Sequence, residues 1–467
     1  MKKIWRLFVL LAVLPGLPAE ESRSEDTPET EAAAPAAPVQ EEKDTVETSQ
    51  RAVIRYGTET EIASLIQTLK AEHADYLDDE LAAMAGHTKN RNILSGIFSF
   101  FGERGKGGLE DRAIRAIGER DEEAGETILA AVEYLGRVKA GAAIGPLMEL
   151  IDNDEDRFFN AAIRALGRIG GAGREEADRI ALYLMEFYAE NDPDSENRRE
   201  IVSALGSTGS AEAAALLSEI ADSNDERPSL RIAALEALSK TGGEGGLKLI
   251  LTAVTAQDPN IRSAAVEALG PFSGPETDRA ILEAFRDSYY RTRIAAARAA
   301  RERKLEEAVP YLKFRAERDD VPAVKDEAIR ALGAIATGEA ETILADLFRN
   351  RKNTDRIRVG AADMLMKNNP GKYLEALTVE LDEAKRKNQT PLYNGFLKAL
   401  GESKTEKLAD TARRLLRSGG IVEKSYALDM AANNGLRELS EEIRGLVEDK
   451  NASLAAKARR TLEKLEE

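Results

Sequence analysis

Arg262-Ser263-Ala264-Ala265-Val266-Glu267-Ala268-Leu269-Gly270 is the clearest copy of a pattern that recurs along most of this chain. A basic residue leads into alanines and aliphatics, which end in Ala-Leu-Gly or a variant of it. The pattern returns at Arg231 to Ser239, Arg293 to Arg301, Lys325 to Gly333 and Arg358 to Met366. With Gly270 and its equivalents taken as a marker, positions 206, 239, 270, 301, 333, 366 and 401 are separated by 33, 31, 31, 32, 33 and 35 residues. A period of that size belongs to helix pairs stacked in a solenoid, because a single pair cannot bury its apolar face alone. Such arrays share one continuous core and leave long faces exposed, which suits them to binding.

Within each unit the marker ends a helix. Ile261, Ala265, Val266, Ala268 and Leu269 fall on a helical period and make one apolar stripe. Asp258-Pro259 opens that helix, since an aspartate accepts from free amides and proline suits the first turn. A second amphipathic stretch precedes each marker helix, as at 278–285 and 342–348, so the unit is a helical hairpin. Two residues before the marker stand Ala116, Ala165, Ala204, Ala237, Ala268, Ala299, Ala331 and Ala399, a column of small side chains that lets helices approach closely.

These residues resemble HEAT repeats, in particular the short bacterial repeats called PBS-lyase HEAT-like, through the run from Asp258-Pro259-Asn260-Ile261-Arg262 to Gly270. The resemblance covers roughly residues 126–467 and implies an all-α superhelix, an α-solenoid of helical hairpins, with marker helices lining its concave face. Two departures stand out. The interval from 167 to 206 is 39, with an insertion near Ala189 to Asn197 expected to lengthen a loop, and Tyr393 stands where the pattern has Arg.

The chain before the repeats reads differently. Residues 1–19 carry Lys2, Lys3 and Arg6 ahead of an apolar run from Leu7 to Leu14, then Leu17-Pro18-Ala19, the layout of a secretory signal with cleavage after Ala19. Residues 20–50 are rich in Glu, Ala, Pro, Ser and Thr and carry a net charge of −8, which predicts a disordered acidic linker. Of the whole-chain charge of −17, the signal segment contributes +3, so about −12 remains on the part from residue 51 onward. Residues 51–125 fit the period poorly and predict an irregular helical cap, with Phe98, Phe100 and Phe101 as its core rather than a binding wedge. The expected setting is the periplasm or cell envelope, with no membrane span left after cleavage.

Three sets of residues are candidates for recognition. The row Arg198, Arg231, Arg262, Arg293, Lys325 and Arg358 recurs in successive units. The family resemblance implies that it pairs with aspartates such as Asp194, Asp258 and Asp355, while an anion-binding stripe is the alternative. The row three before the marker, including Arg164, Glu236, Glu267, Arg298, Arg330 and Asp363, is polar throughout and varies in sign, as a partner-selecting groove or a merely solvated face would. Between Arg286 and Lys304 seven basic residues face only Asp287 and Glu302, with Tyr289, Tyr290, Arg291 and Arg293 inside the stretch. That central basic zone reads either as a docking site for an acidic partner or as surface charge balanced by neighbours.

Enzyme readings find little to stand on. The chain has no cysteine and only two histidines, His73 and His87, followed by Ala74 and Thr88 rather than the Glu that paired His-Glu iron sites of HEAT-like hydroxylases require. No phosphate loop, nucleophile elbow or dinucleotide fingerprint occurs. Net acidity argues against nucleic acid as a partner. The expectation is therefore an exported, non-enzymatic scaffold that needs no cofactor or metal. It would bind a protein partner through the concave face and central basic zone, with an anionic lipid or wall polymer as the alternative.

Overall fold

The computed structural model describes residues 39–72, 74–153, 157–190 and 195–466, all α-helical or in turns between helices. The chain divides into two units, Met1–Gly57 and Thr58–Glu467. Among the described residues of the first, one helix, α1, spans Val39–Tyr56. It corrects the linker expectation for residues 39–50. The last proline of that segment is Pro38, and the Glu-rich sequence beyond it has nothing to interrupt a helix. The signal reading and the rest of the linker lie outside the described residues.

The second unit is a run of hairpins. It comprises α2 (Glu59–Glu72), α3 (Asp78–His87), α4 (Arg91–Glu103), α5 (Glu110–Gly118), α6 (Gly125–Arg137), α7 (Ile144–Asn153), α8 (Phe159–Gly170), α9 (Arg174–Glu190) and α10 (Ser195–Thr208). These are followed by α11 (Ala214–Asp222), α12 (Pro228–Thr241), α13 (Glu244–Ala253), α14 (Pro259–Ala268), α15 (Pro275–Ala284), α16 (Tyr290–Glu302), α17 (Val309–Arg318) and α18 (Pro322–Ile335). The C-terminal part holds α19 (Gly338–Arg349), α20 (Asp355–Asn368), α21 (Pro370–Arg386), α22 (Thr390–Gly401), α23 (Ala409–Ser418), α24 (Ile421–Asn434), α25 (Ser440–Arg444) and α26 (Ala452–Glu466).

The even-numbered helices form one unbroken layer in which each packs along the next from α2 to α26, while the odd-numbered helices lean mainly on their hairpin partners. The even layer is closely spaced because of its small residues. A Cβ on Gly136 would stand 2.8 Å from the Cα of Ala165, one on Gly167 would be 3.1 Å from the Cα of Ala204, and one on Gly206 would be 2.5 Å from the Cα of Ala237. At Gly136, Gly167 and Gly206 the marker glycine of one unit and the alanine two before the next marker are thus the two sides of one contact. Local signals set the ends. Asp258 accepts from the amides of Asn260 at 2.7 Å and Ile261 at 3.4 Å, and α12, α14, α15, α18 and α21 each begin with proline.

Regular hairpins begin earlier than residue 126. In the region expected to be an irregular cap, Gly102 of α4 faces Tyr134 of α6, where an added Cβ would lie 3.4 Å from the Tyr134 Cα, so Gly102 is a marker and Tyr134 stands in the alanine column. Ala116 does not belong to that column. It lies on α5, in the odd layer, and a Cβ on Gly118 beside it would meet nothing within 4 Å. Phe98, Phe100 and Phe101 are fully buried, with the Phe98 and Tyr134 rings stacked at 5.7 Å, in keeping with a core role. The insertion after Gly167 goes largely into helix: α9 has 17 residues where α11 and α13 have 9 and 10.

Candidate partner-binding groove

The recurring basic row is a structural staple. Arg262 donates to both oxygens of Asp287 at 2.8 and 3.1 Å and to the carbonyls of Ala256 and Gln257 at 2.8 and 2.9 Å. Arg293 repeats the arrangement one unit on, with both Asp319 oxygens at 2.8 Å, Asp320 at 2.9 Å and the carbonyls of Asp287 and Ser288 at 3.1 Å. Arg358 donates to the Phe348 carbonyl at 3.1 Å and to Glu380 at 2.6 Å. Each of these three arginines closes carbonyls at or just beyond the end of the preceding odd helix and reaches forward to a carboxylate of the next unit, tying neighbouring units together, whereas Arg231 and Lys325 reach only back, to the carbonyls of Ala221 at 3.0 Å and Glu317 at 3.3 Å. The partners therefore differ from the one implied at Asp258, which is an N-cap, and the carboxylates that take the guanidinium lie 22 to 27 residues downstream. Tyr393, in the arginine's place, does the forward half of the job by donating to Glu423 at 3.2 Å.

Electrostatics follow from this geometry. Burial works against the Asp319 carboxylate, but hydrogen bonds from Arg293 and the Val321 amide, with the Arg293 charge, outweigh it and hold its pKa below the ordinary aspartate value. Asp287 is held low in the same way by Arg262 and the Tyr289 amide, again against burial.

Arg293 is thus absent from the surface where a binding role would place it: its side chain is 7% exposed and already holds two carboxylates. The central basic zone is largely balanced. Arg286 pairs with Glu283 at 2.6 Å and Arg303 with Asp278 at 2.5 Å. Two units on, Arg351 pairs with Glu380 and Glu383, and Arg356 with Asp326.

Five other predicted residues come together. Glu236, Glu267, Tyr290, Arg291 and Arg298 line one groove of about 600 Å³ across α12, α14 and α16. The groove is made of rows that step once per unit. Its floor is Ile232, Ser263 and Ile294, each seven before its marker and half-buried, with Ala264 beside them. One flank is Glu236, Glu267 and Arg298, and the other is Ser229, Asn260 and Arg291. Tyr289 stands just outside, bonding Asn260 at 3.0 Å through its hydroxyl, and its ring meets that of Tyr290 edge-on at 5.4 Å. Arg298 and Glu267 bridge the groove's edge at 3.1 Å, both about half exposed. Arg164, Arg330 and Asp363 share the flank row in other units and bond Glu200 at 3.3 Å, Glu327 at 2.7 Å and Lys367 at 2.9 Å respectively.

Sequence reasoning found the flank and missed the floor. The signal was present in the column seven before the marker, where Ile232, Ser263 and Ile294 lie between Arg199 and Asp326. Asp326 is engaged by Arg356, so the apolar stretch ends there. His87 is exposed at the end of α3, and His73 lies outside the described residues. No described helix is long and apolar enough to cross a membrane.

Several solved structures are similar to this chain. The karyopherin Kap121p matches at 13% identity with a TM-score of 0.41, covering 91% of this chain and 54% of its own, so the chain spans about half of that protein's length. An engineered protein matches at 17% identity and TM-score 0.33 over 84% of this chain and 99% of its own. Human deoxyhypusine hydroxylase in complex with glycerol matches at 18% and 0.25 over 57% and 97%. No curated protein matches the sequence. The profile of the spirochaete HEAT repeat protein family, however, matches residues 54–461, from α1 through α26. That span, the period and the two-layer stack of hairpins agree, and the chain belongs to the spirochaete HEAT repeat protein family.

Proposed function

We propose that this protein is an exported, non-enzymatic scaffold that holds a protein partner in the groove across α12, α14 and α16. The observation that carries the reading is the groove itself, a floor of Ile232, Ser263 and Ile294 with Ala264 beside it, between two polar flanks, on the layer of helices that packs without a break from α2 to α26. A layer with the smaller spacing takes the inside of a curved stack, so this groove would lie on the concave side. Few convergent polar groups beside an apolar strip suit the recognition of a peptide segment. A polyanion surface is less well supported, because the basic zone is mostly occupied by its own carboxylates.

A photo-crosslinking residue placed at Ser263, on the floor, and at Lys248, exposed on the outer α13, tests the reading in envelope extract. One discrete protein adduct is expected from Ser263, absent from Lys248 and lost in an Ile294→Arg variant that keeps its helical circular dichroism. Equal adducts from both positions, or none from Ser263, would overturn it.

A further inference from the structure

Between α12 and α18 the charge beside the groove changes sign once. In the row three before the marker, Glu236 and Glu267 give way to Arg298 and then Arg330. Beyond the groove's end these two join Arg301 around a single carboxylate, Glu327, whose side chain is 4% exposed. Arg330 approaches it at 2.7 Å, Arg301 at 3.2 Å and Arg298 at 3.8 Å. A guanidinium carries five N–H donors and a carboxylate about four acceptor sites, so buried Glu327, together with Glu267 on Arg298 at 3.1 Å, leaves most of those donors unmet. The three arginines are 47%, 42% and 50% exposed, with those donors accessible to a ligand. At the opposite end Glu236, in the groove lining, forms no ion pair among the described residues.

We infer that the groove and the arginine cluster together take one extended segment of a partner protein with segregated charge: acidic side chains at Arg298, Arg301 and Arg330, apolar side chains over Ile232 and Ile294, and a basic side chain at Glu236. This rests on the groove reading above and adds the chemistry of its occupant. Neighbouring packed helices lie about 9 Å apart, and an extended chain advances about 3.3 Å per residue. Crossing from α12 to α18 therefore takes about eight residues. The cluster supplies direction and register, since planar guanidinium forks match carboxylates in two-point contacts.

Two fluorescein-labelled octapeptides of one composition test this on the full chain: KKLALAEE, with its charges segregated, and KELALAKE, with them interleaved. Fluorescence anisotropy at low salt should give the segregated peptide about tenfold tighter binding, a difference that shrinks as salt rises. An Arg301→Glu/Arg330→Glu variant should abolish the preference and bind KKLALAKK more tightly than the parent does. Because Arg330 serves the buried Glu327, an Arg298→Gln/Arg301→Gln variant, which leaves that contact in place, should also lose the preference. Equal binding of the two octapeptides, or binding of neither, would overturn the inference. If the Ser263 adduct persists in that case, the groove reading stands without the charge grading, and if the adduct is lost too, both fall.

Discussion

The repeats around α4, α6 and α8 and those around α14, α16 and α18 occupy the same fold position by different means. Eight residues before the marker, the first group carries Leu94, Ile128 and Phe159, all buried, and its markers are the glycines Gly102, Gly136 and Gly167. The second group carries Arg262, Arg293 and Lys325 at that place, and its markers are Gly270, Arg301 and Gly333. In the first group neighbouring helices close on backbone and apolar side chains. In the second, Arg262 and Arg293 are long charged staples that reach from one unit to the next while Lys325 bonds only back to the Glu317 carbonyl, and the marker is free to become an arginine. A solenoid that fastens its units from the outer end of the helix can vary the residues on its inner face, and the candidate groove lies among the stapled repeats.

Removing Phe159, 3% exposed and 5.4 Å from the Phe187 ring, should have the largest effect on the apolar side of this comparison. Phe159→Ala is expected to cost about 3–5 kcal/mol in urea unfolding. A loss below about 1 kcal/mol would mean that the N-terminal units do not depend on this position.

On the stapled side, Arg293→Ala strands Asp319, whose side chain is fully buried, and should cost about 3 kcal/mol, the low end for a broken buried pair because Arg315 remains 3.3 Å away. The staple also predicts an acid limit. The folded pKa values of Asp287 and Asp319 lie below the ordinary aspartate value, so their contribution is fully present above about pH 4 and is lost as pH falls through the folded values. Melting temperature followed from pH 6 down to pH 2 should fall in the wild type and fall less steeply in Arg293→Gln, where the Asp287–Arg262 pair remains. Parallel curves would show that the staple carries no proton linkage.

These two strategies also explain what could be read from the chain. The central repeats announce themselves because Arg262 and Arg293 open the pattern and small residues fill the alanine column. The repeat around α4 keeps the period but loses the arginine and places Phe100 in that column, so it passes for an irregular cap. The staple itself was visible as a row, but its partners were not, because Asp287 and Asp319 are brought to the arginines only by stacking of units. The groove floor escaped for a related reason. Half-buried Ile232 and Ile294 look like any other apolar position until their helices stand side by side.

Gly136 and Arg301, both markers, sharpen the comparison at smaller scale. Gly136→Ala forces a Cβ to within 2.8 Å of the Ala165 Cα, where only movement of the helices makes room, and should cost about 1–3 kcal/mol. Arg301→Ala removes a half-exposed ion pair while Arg330 stays on Glu327, and should cost less than about 1 kcal/mol. Equal losses at the two markers would show that the central units are as closely fitted as the N-terminal ones.

The smallest effect comes from Gly118, which shares the sequence motif but not the contact. It ends α5 in the odd layer, in a helical conformation, with open space where a Cβ would go. Alanine there loses nothing in packing and restricts the unfolded chain, so Gly118→Ala should raise stability by a few tenths of a kcal/mol, about the value of such a change near a helix end. The same substitution at Gly136 should lower stability. Opposite signs measured by thermal melting would establish that it is the layer a glycine lies in, and not the Ala-x-Gly motif around it, that makes a marker. A loss at Gly118 comparable to that at Gly136 would mean that the outer helices are packed against something as closely as the inner ones are packed against each other.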